Sequence, residues 1–190
     1  EAANAAVIEA ALNGLGKPGM GCTATCAYIE NDTIAIAHVG DSRAYLLHEG
    51  TLIRVTRDHS YVEELVDAGE ITADEARVHP NRSVITRALG SDPAMYADHF
   101  TLHIDEGDRL ILCSDGLSSM IPDSDIENIA TQSSTAQICV DNLVDAALAA
   151  GGHDNVTVVV VDLVDDGVMR EAQRVRRRNI TIGVVLGIVF

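Results

Sequence analysis

We predict an α+β domain from three features of the sequence. Its apolar fraction is mainly aliphatic, because 47% of the 190 residues are hydrophobic but only 3% are aromatic and Trp is absent. Residues 22–55 contain β-favouring runs separated by two-residue turn signals. Helix-capping signals and a helical stripe of apolar residues follow later in the chain. Hairpins and separate helices around an aliphatic core indicate layers of sheet and helix.

The first 55 residues predict one helix and then an antiparallel meander. Residues 1–13 have a helical composition but no N-cap residue, and we interpret them as the end of a helix already under way in a longer protein. Tight Asn-Asp and Glu-Gly turns favour antiparallel pairing of the strands that they join. The four predicted strands are Cys22–Glu30, Thr33–Val39, Arg43–His48 and Thr51–Val55.

Helices and further strands are predicted over the rest of the chain. Two capping boxes, at 60–63 and 72–75, predict short helices over about 61–68 and 73–78. An apolar stripe predicts a long helix over about 135–149. The remaining strands are predicted at Ser83–Ala88, Ala97–Ile104, Arg109–Cys113 and Asn155–Leu163. The last of these contains five Val in six residues, which suggests burial on both faces.

Charge is distributed unevenly along the chain. The net charge is −16, but residues 168–190 contain five Arg and one Glu, a balance of +4, so the first 167 residues carry −20. Because Lys and Arg contacts to phosphate dominate nucleic-acid binding, we exclude nucleic acid as a partner of this acidic body. Phosphorylated substrates would also be repelled unless bound cations reverse the local charge.

The sequence divides into three predicted parts. These are a globular domain over 1–165, a basic linker over 166–179 and an apolar end over 180–190. Eleven residues cannot span a bilayer, which takes about 20, and a buried C-terminal strand is one interpretation of them. We favour the start of a transmembrane helix that continues beyond the sequence, because the preceding Arg cluster follows the positive-inside rule. This arrangement predicts a single-pass anchor with the acidic domain at the cytoplasmic face of the cell membrane.

Three aspartates lie beside glycine at the ends of predicted strands. Asp41 follows a strand and Gly40, Asp115 follows a strand and precedes Gly116, and Asp154 precedes the last strand. Each alone is typical of a turn residue. Three carboxylates whose strand ends converge would repel one another and need a cation. Ligands that are all oxygen select Mg²⁺ or Mn²⁺ rather than Zn²⁺.

Nucleophilic catalysis by cysteine or serine is disfavoured. Cys113 is the cysteine placed nearest to one of these aspartates, but residues 114–120 contain no Arg that could hold a phosphate. Ser42, Ser114 and Ser118 lack a histidine-based activation pattern. We therefore expect no catalytic residue beyond the metal ligands.

Seven short strings occur in a specific order. They are GMGCT at 19–23, VGDSR at 39–43, HPNR at 79–82, RALG at 87–90, GDRL at 107–110, CSDGL at 113–117 and GGHDN at 151–155. Each string is a weak signal alone. In this order they closely resemble the bacterial form of the metal-dependent protein phosphatases (the PPM family, or protein phosphatase type 2C), over roughly residues 15–163.

The resemblance implies a four-layer α-β-β-α sandwich of two antiparallel sheets flanked by helices. Asp115 and Asp154 match the family's ligands for two main Mn²⁺ or Mg²⁺ ions, and Asp41 matches the residue that helps to hold a third, weaker ion. Residues 58–90 match the flap, a mobile segment that influences substrate access. The flap residues that we single out are Asp58, His59, His79 and Arg82.

One motif of the family has no counterpart in this sequence. The family's Asp-Gly-Met-Gly-Gly segment supplies the Asp that bridges the two main ions, and no Asp precedes the Gly-Met-Gly at 19–21. The resemblance therefore implies that a preceding segment supplies this ligand. We expect the 190 residues alone to bind metal poorly and to have little activity.

The resemblance implies a protein serine/threonine phosphatase that uses metal-activated water and forms no phosphoenzyme. Its implied partners are phosphorylated proteins, with bacterial serine/threonine kinases and their substrates as the natural ones. Two alternatives stay open at this point. One is a non-catalytic regulatory domain of the same fold, and the other is a metal-dependent hydrolase of small phosphate esters.

Overall fold

A computed structural model describes residues 1–164 and 183–189 of the chain. The helices are α1 (Ala2–Leu12), α2 (Tyr61–Asp67), α3 (Ala73–Val78), α4 (Asp115–Ser118), α5 (Asp123–Gln132) and α6 (Ala136–Ala149). The strands are β1 (Cys22–Glu30), β2 (Thr33–Val39), β3 (Arg43–His48), β4 (Thr51–Arg54), β5 (Asp98–His103), β6 (Arg109–Cys113), β7 (Val158–Asp162) and β8 (Gly183–Val189).

The strands form two antiparallel sheets of four strands each. Sheet A has the order β5-β2-β1-β8, and sheet B has the order β4-β3-β6-β7. Both predicted hairpins are confirmed, with Glu30 opposite Thr33 and His48 opposite Thr51. The second turn is tight because its two central residues have positive φ, 48° at Glu49 and 80° at the following glycine.

The two sheets pack face to face through an aliphatic core. Alternation along β1 and β2 turns every second side chain toward sheet B, and β6 is buried along its whole length. A layer of helices covers the other face of sheet B. The core between the sheets contains Ala27, Ile34, Ile36, Ala44, Leu46, Leu110 and Leu112. The core under the helices contains Tyr45, Ile111, Leu117, Ile126, Cys139 and Leu143. The predicted α+β class, two antiparallel sheets with helices outside, is confirmed.

Two sequence-based predictions within the domain are wrong. The predicted strand Ser83–Ala88 makes one isolated bridge, from Ile85 to Ser60, and the next residue, Leu89, makes another to Cys22. Because its two ends meet different elements, no single strand edge is available for a continuous ladder. The valine-rich strand, β7, was predicted to be buried on both faces, but the strand that is buried along its whole length is β6. β7 is half-buried because it is the edge strand of sheet B.

The sequence analysis missed α5, although its signals are present. Pro122 precedes the helix, and Asp123 and Asp125 lie in its first turn, where negative charge is favourable. Ile126 and Ala130 are four residues apart and both are buried. These features together identify the start and the buried face of a helix.

The predicted transmembrane helix over 180–190 is wrong for the seven of its residues that the structure describes. Residues Gly183–Val189 form β8, which pairs antiparallel with β1 along Cys22–Tyr28. β-branched Val and Ile residues favour strand, and the β1 backbone offers hydrogen-bonding groups along its edge. Among the described residues, no helix combines the length and the apolar character needed to cross a membrane. The predicted basic linker over 166–179 lies outside the described residues.

Arg109 ties sheet B to the helical layer. Its side chain is 8% exposed, and its Nε lies 2.5 Å from Asp162 Oδ1 on β7. Its Nη1 donates to the carbonyl oxygens of Ala130 and Ser133, at 2.6 and 3.0 Å, at the end of α5. One guanidinium therefore joins β6, β7 and α5, and it satisfies two helix-end carbonyls that lack helical partners.

We predict that Arg109→Met lowers the free energy of unfolding by about 3 kcal/mol, because it leaves a carboxylate and two carbonyl oxygens without their donor. Urea denaturation measures this loss. The matched control, Arg57→Met, removes an arginine that is about half exposed and should change stability by less than about 1 kcal/mol. Equal losses in the two variants would contradict the structural role of Arg109.

His38 is a fully buried histidine on β2, opposite Thr25 of β1. Its Nδ1 lies 2.9 Å from Thr25 Oγ1, and its Nε2 donates to the carbonyl oxygen of Arg57 at 3.0 Å. Burial is the largest cause that lowers the pKa of His38 to about 4. The folded protein therefore holds this imidazole neutral at a pH where the unfolded chain, with a pKa of about 6.5, takes up a proton.

The contribution of His38 to stability should therefore decrease as the pH falls from about 6.5 to about 4, because this imidazole binds a proton more readily in the unfolded chain than in the folded protein. A shift of this size corresponds to about 3 kcal/mol. We predict that His38→Gln removes this contribution. The difference in unfolding free energy between wild type and variant should change by that amount across the window. Parallel stability curves in urea titrations at pH 4 to 7 would contradict the prediction.

Candidate metal centre

Ser114 connects the loop that carries Asp115 to the loop that carries Asp154. Its Oγ donates to the carbonyl oxygen of Asn155 at 3.1 Å and accepts from the N–H of Thr157 at 3.0 Å. Its own N–H donates to the Thr157 carbonyl oxygen at 3.0 Å. Three hydrogen bonds thus hold the end of β6 against the segment that enters β7.

Gly116 permits the close approach of these two loops. A Cβ at this position would lie 2.3 Å from the carbonyl oxygen of Asn155, a distance that a side chain cannot tolerate. A residue without Cβ is therefore required immediately after Asp115. On the other loop, Asp154 is exposed and its Oδ1 accepts from the N–H of Asn155 at 2.7 Å.

Asp41 lies on the connection between the two sheets, after β2 and before β3. Its neighbour Ser42 is fully buried, and Ser42 Oγ lies 3.0 Å from Thr23 Oγ1. Thr25 Oγ1 lies 2.9 Å from the Ser42 carbonyl oxygen and 2.9 Å from His38 Nδ1, so its single proton is shared between these two acceptors. Two threonines on the inner face of β1 therefore hold the backbone beside Asp41.

The charges of the three aspartates act on one another. Burial, followed by the charges of Asp115 and Asp58, raises the pKa of Asp41 to about 7. Burial also raises the pKa of Asp115, with the charge of Asp154 as the next cause. Asp41 is therefore influenced by the charge of Asp115, and Asp115 by the charge of Asp154. That the three act together as metal ligands stays a prediction.

The arrangement of donors is an incomplete metal site. Its carboxylates are hard oxygen donors, which suit Mg²⁺ or Mn²⁺, and the raised pKa of Asp41 shows that a nearby positive charge would be favourable there. Within residues 1–164 and 183–189, however, no three His, Cys, Asp or Glu side chains are arranged to hold a metal ion together. The described aspartates fit part of a cation site and require further ligands to complete one.

Arg43 lowers the pKa of Asp41 but does not outweigh the causes that raise it. Its guanidinium makes a bidentate contact with Asp58, at 3.0 Å from Nε to Oδ1 and 2.7 Å from Nη2 to Oδ2. Its Nη1 donates to Tyr45 Oη at 3.1 Å. Its charge is already matched by that of Asp58.

The residues singled out on the flap occupy different places. Asp58 and His59 lie at its base: Asp58 holds Arg43, and His59 is buried against Gly40. His79 follows α3, and its Nδ1 accepts from the N–H of Asn81 at 3.1 Å. Arg82 is exposed. Only the first two of these residues adjoin the aspartates.

Cys113 is unsuited to act as a nucleophile. The residue is completely buried in β6, and burial raises the pKa of its thiol to about 12. A thiol that stays protonated at neutral pH is a poor nucleophile. This burial supports the sequence-based argument against Cys113 as a nucleophile.

Several residues that shape the site were missed by the sequence analysis. Ser114 and Ser42 were considered only as nucleophiles, although each adjoins one of the aspartates and holds its loop through hydrogen bonds. Thr23 and Thr25 were assigned only to a strand. Strand alternation could have placed both threonines on the inner face of β1, but their partners lie 17 and 19 residues away and are visible only in the fold.

Comparison with known proteins gives a consistent result. The family described as "Protein phosphatase 2C" matches residues 9–156. The serine/threonine phosphatase stp of Listeria welshimeri is 40% identical over 144 residues, which cover 76% of this chain and 57% of that protein. The serine/threonine protein phosphatase PstP of Mycobacterium tuberculosis is 44% identical over 150 residues, 77% of this chain and 28% of that protein. The chain thus spans from about a quarter to somewhat over half of the length of these relatives.

Solved structures agree with the sequence comparison. A crystal structure of M. tuberculosis PstP/Ppp superposes with a TM-score of 0.80 at 39% identity, covering 85% of this chain and 68% of that one. The catalytic domain of PstP in complex with two manganese ions superposes with a TM-score of 0.77 at 37% identity, covering 85% of this chain and 67% of that one. The fold, the motifs and the extent of the match lead to one conclusion: the chain belongs to the protein phosphatase 2C family.

Proposed function

We propose that the protein containing this chain is a metal-dependent phosphatase that hydrolyses phosphoserine and phosphothreonine in proteins. The observation that carries the proposal is the hydrogen bonding of Ser114, which holds the Asp115 and Asp154 loops together beside Asp41. Carboxylates held in such proximity destabilise the protein unless they bind cations. The relatives of this chain in Listeria welshimeri and Mycobacterium tuberculosis are named serine/threonine phosphatases.

Asp115 and Asp154 would hold the main Mn²⁺ or Mg²⁺ ions, and Asp41 would contribute to a third. When bound, such ions neutralise charge on the phosphoryl group and lower the pKa of a coordinated water. The chain's own residues position these ligands, through Ser114 on one side and Ser42 on the other. The complete ligand set includes residues beyond those described, because the described acidic groups do not form a site by themselves.

Phosphorylated proteins are the proposed substrates, and bacterial serine/threonine kinases and their targets are the proposed partners. The acidic body, with its charge of −20 over the first 167 residues, would repel a phosphorylated substrate over the range of a Debye length. The ions reverse this charge locally. We infer that turnover of phosphoproteins therefore depends steeply on metal occupancy.

The decisive test replaces one ligand in the full-length protein. We predict that Asp115→Asn lowers kcat/KM for a phosphothreonine peptide by at least about 100-fold at saturating Mn²⁺, because a neutral amide cannot replace the carboxylate as a ligand. Release of inorganic phosphate measures the rate. Asp125→Asn is the matched control, because Asp125 is an exposed aspartate in the first turn of α5, and this variant should retain wild-type activity.

The same assay separates the alternatives. No turnover of any phosphate ester by the wild-type protein with Mn²⁺ would contradict the proposal and favour a non-catalytic binding domain. Faster turnover of mononucleotides than of the phosphopeptide would favour a hydrolase of small phosphate esters. Equal activity of wild type and Asp115→Asn would exclude Asp115 as a ligand.

We further propose that the protein lies at the cytoplasmic face of the membrane. The support is charge alone: Arg170, Arg174 and Arg176–Arg178 follow the acidic domain, and clustered arginines bind anionic lipid.

We predict that replacing Arg176, Arg177 and Arg178 by Glu weakens cosedimentation of the full-length protein with phosphatidylserine vesicles by at least about 100-fold, because each arginine contributes about 1 kcal/mol. Lys17→Glu, at an exposed position of the domain, is the control and should bind as the wild type does. Equal binding of the arginine variant and the control would exclude this surface contact.

A further inference from the structure

His59 contacts Gly40, the residue before Asp41, from two directions. Its backbone N–H donates to the Gly40 carbonyl oxygen at 2.7 Å, and its side-chain Nδ1 accepts from the Gly40 N–H at 3.0 Å. The two residues are 19 positions apart in sequence, and His59 is only 7% exposed. Both backbone polar groups of Gly40 are therefore satisfied by a single residue at the base of the flap.

The conformation of Gly40 explains why these two hydrogen bonds with His59 are needed. Its φ is 108°, in the region that favours glycine. A Cβ there would lie 2.3 Å from Thr23 Cγ2, so no other residue fits against β1. Glycine has the widest conformational freedom of all residues, and the peptide that orients Asp41 needs external restraint.

The other side of the His59 ring connects to the end of the flap. Because the Gly40 N–H can only donate, Nδ1 is an acceptor, and Nε2 carries the proton that it donates to Asp98 Oδ2 at 3.1 Å. Arg87 Nη1 donates to the second oxygen of Asp98 at 2.6 Å. The Thr86 N–H donates to the His59 carbonyl oxygen at 2.9 Å. His59 thus joins residues 86–87 of the flap to Gly40.

Asp98 is suited to accept the hydrogen bond from His59 Nε2. Burial alone would raise the pKa of Asp98, but hydrogen bonds from His59 and Arg87 lower it overall. The carboxylate therefore stays ionised and keeps the imidazole in the tautomer that leaves Nδ1 free to accept.

We infer that His59 is a positioning residue for Asp41, acting through the Nδ1 hydrogen bond to Gly40 and oriented by Asp98 and Arg87. The inference rests on the proposed function, in which Asp41 helps to hold the weakest of the bound ions. In this inference, the base of the flap affects metal affinity without contacting substrate.

Two substitutions separate the two hydrogen bonds of the ring. In His59→Asn, the amide oxygen can replace Nδ1 as the acceptor for Gly40, whereas the donor to Asp98 is lost. In His59→Gln, the amide nitrogen can replace Nε2 as the donor to Asp98, whereas the acceptor for Gly40 is lost. Both variants lose the ring, so a purely structural role would affect them alike. His99→Gln, at an exposed histidine of β5, is the control.

We predict that His59→Gln weakens the weakest Mn²⁺ site of the full-length protein about tenfold, the effect of losing one hydrogen bond of ordinary strength. His59→Asn and His99→Gln should stay within about twofold of wild type. Calorimetric titration with Mn²⁺ measures the affinities. In the phosphopeptide assay, His59→Gln should need about tenfold more Mn²⁺ for half-maximal rate and should recover kcat at saturating Mn²⁺, with KM for the peptide unchanged.

Amide hydrogen exchange provides a readout that is independent of metal and of activity. The Gly40 N–H should lose protection in His59→Gln and retain it in His59→Asn. Equal Mn²⁺ affinities in the two variants, or a larger loss in His59→Asn, would overturn the inference while leaving the proposed function intact. A wild-type protein that binds no Mn²⁺ would overturn both the inference and the proposed function. Exchange of the Gly40 N–H would then still show whether its hydrogen bond to His59 exists.

Discussion

Repulsion among the carboxylates of Asp41, Asp115 and Asp154 is the constraint around which the rest of the site is built. Burial and mutual charge raise the pKa of Asp41 and of Asp115, so bringing these groups together costs free energy in the absence of cations. Among the described residues, the guanidinium of Arg43 lowers the pKa of Asp41, but its charge is also paired with the carboxylate of Asp58. The geometry is held by neutral hydroxyl groups. Those of Ser114 and Thr25 bond backbone, and those of Ser42 and Thr23 bond each other, so none of them adds charge.

The two-sheet architecture explains how these loops come to meet. Asp41 lies where the chain passes from sheet A to sheet B, and Asp115 and Asp154 lie beside neighbouring strands of sheet B. Full burial of β6 gives the Asp115 loop a rigid base, and Arg109 fixes the same strand to β7 and α5. Two flap residues contact the chain on either side of Asp41. His59 bonds Gly40, and Asp58 bonds Arg43. Flap and metal ligands therefore share a common support.

Much of the fold followed from local signals. Hairpin turns, strand alternation and capping boxes act over a few residues, and the predictions built on them, from β1 to β4 and for α2, α3 and α6, were confirmed. The failures concern segments whose state depends on distant partners. Residues 83–88 have strand composition but no continuous edge to pair with. Residues 183–189 have an apolar composition that suits a membrane helix or a strand, and pairing with β1 selects the strand.

The sequence by itself determined the class of chemistry. The absence of a usable nucleophile pattern argued against cysteine and serine mechanisms. Three aspartates at glycine-marked strand ends, together with the ordered motifs, led to oxygen-ligated cations, because residue type limits the choice of metal. Only the tertiary structure decided which groups hold those aspartates in place. Ser114 reaches Asn155 across 41 residues, and His59 reaches Gly40 across 19. Hydrogen bonds depend on distances of a few tenths of an ångström, and such distances between remote segments are established only when the sheets pack.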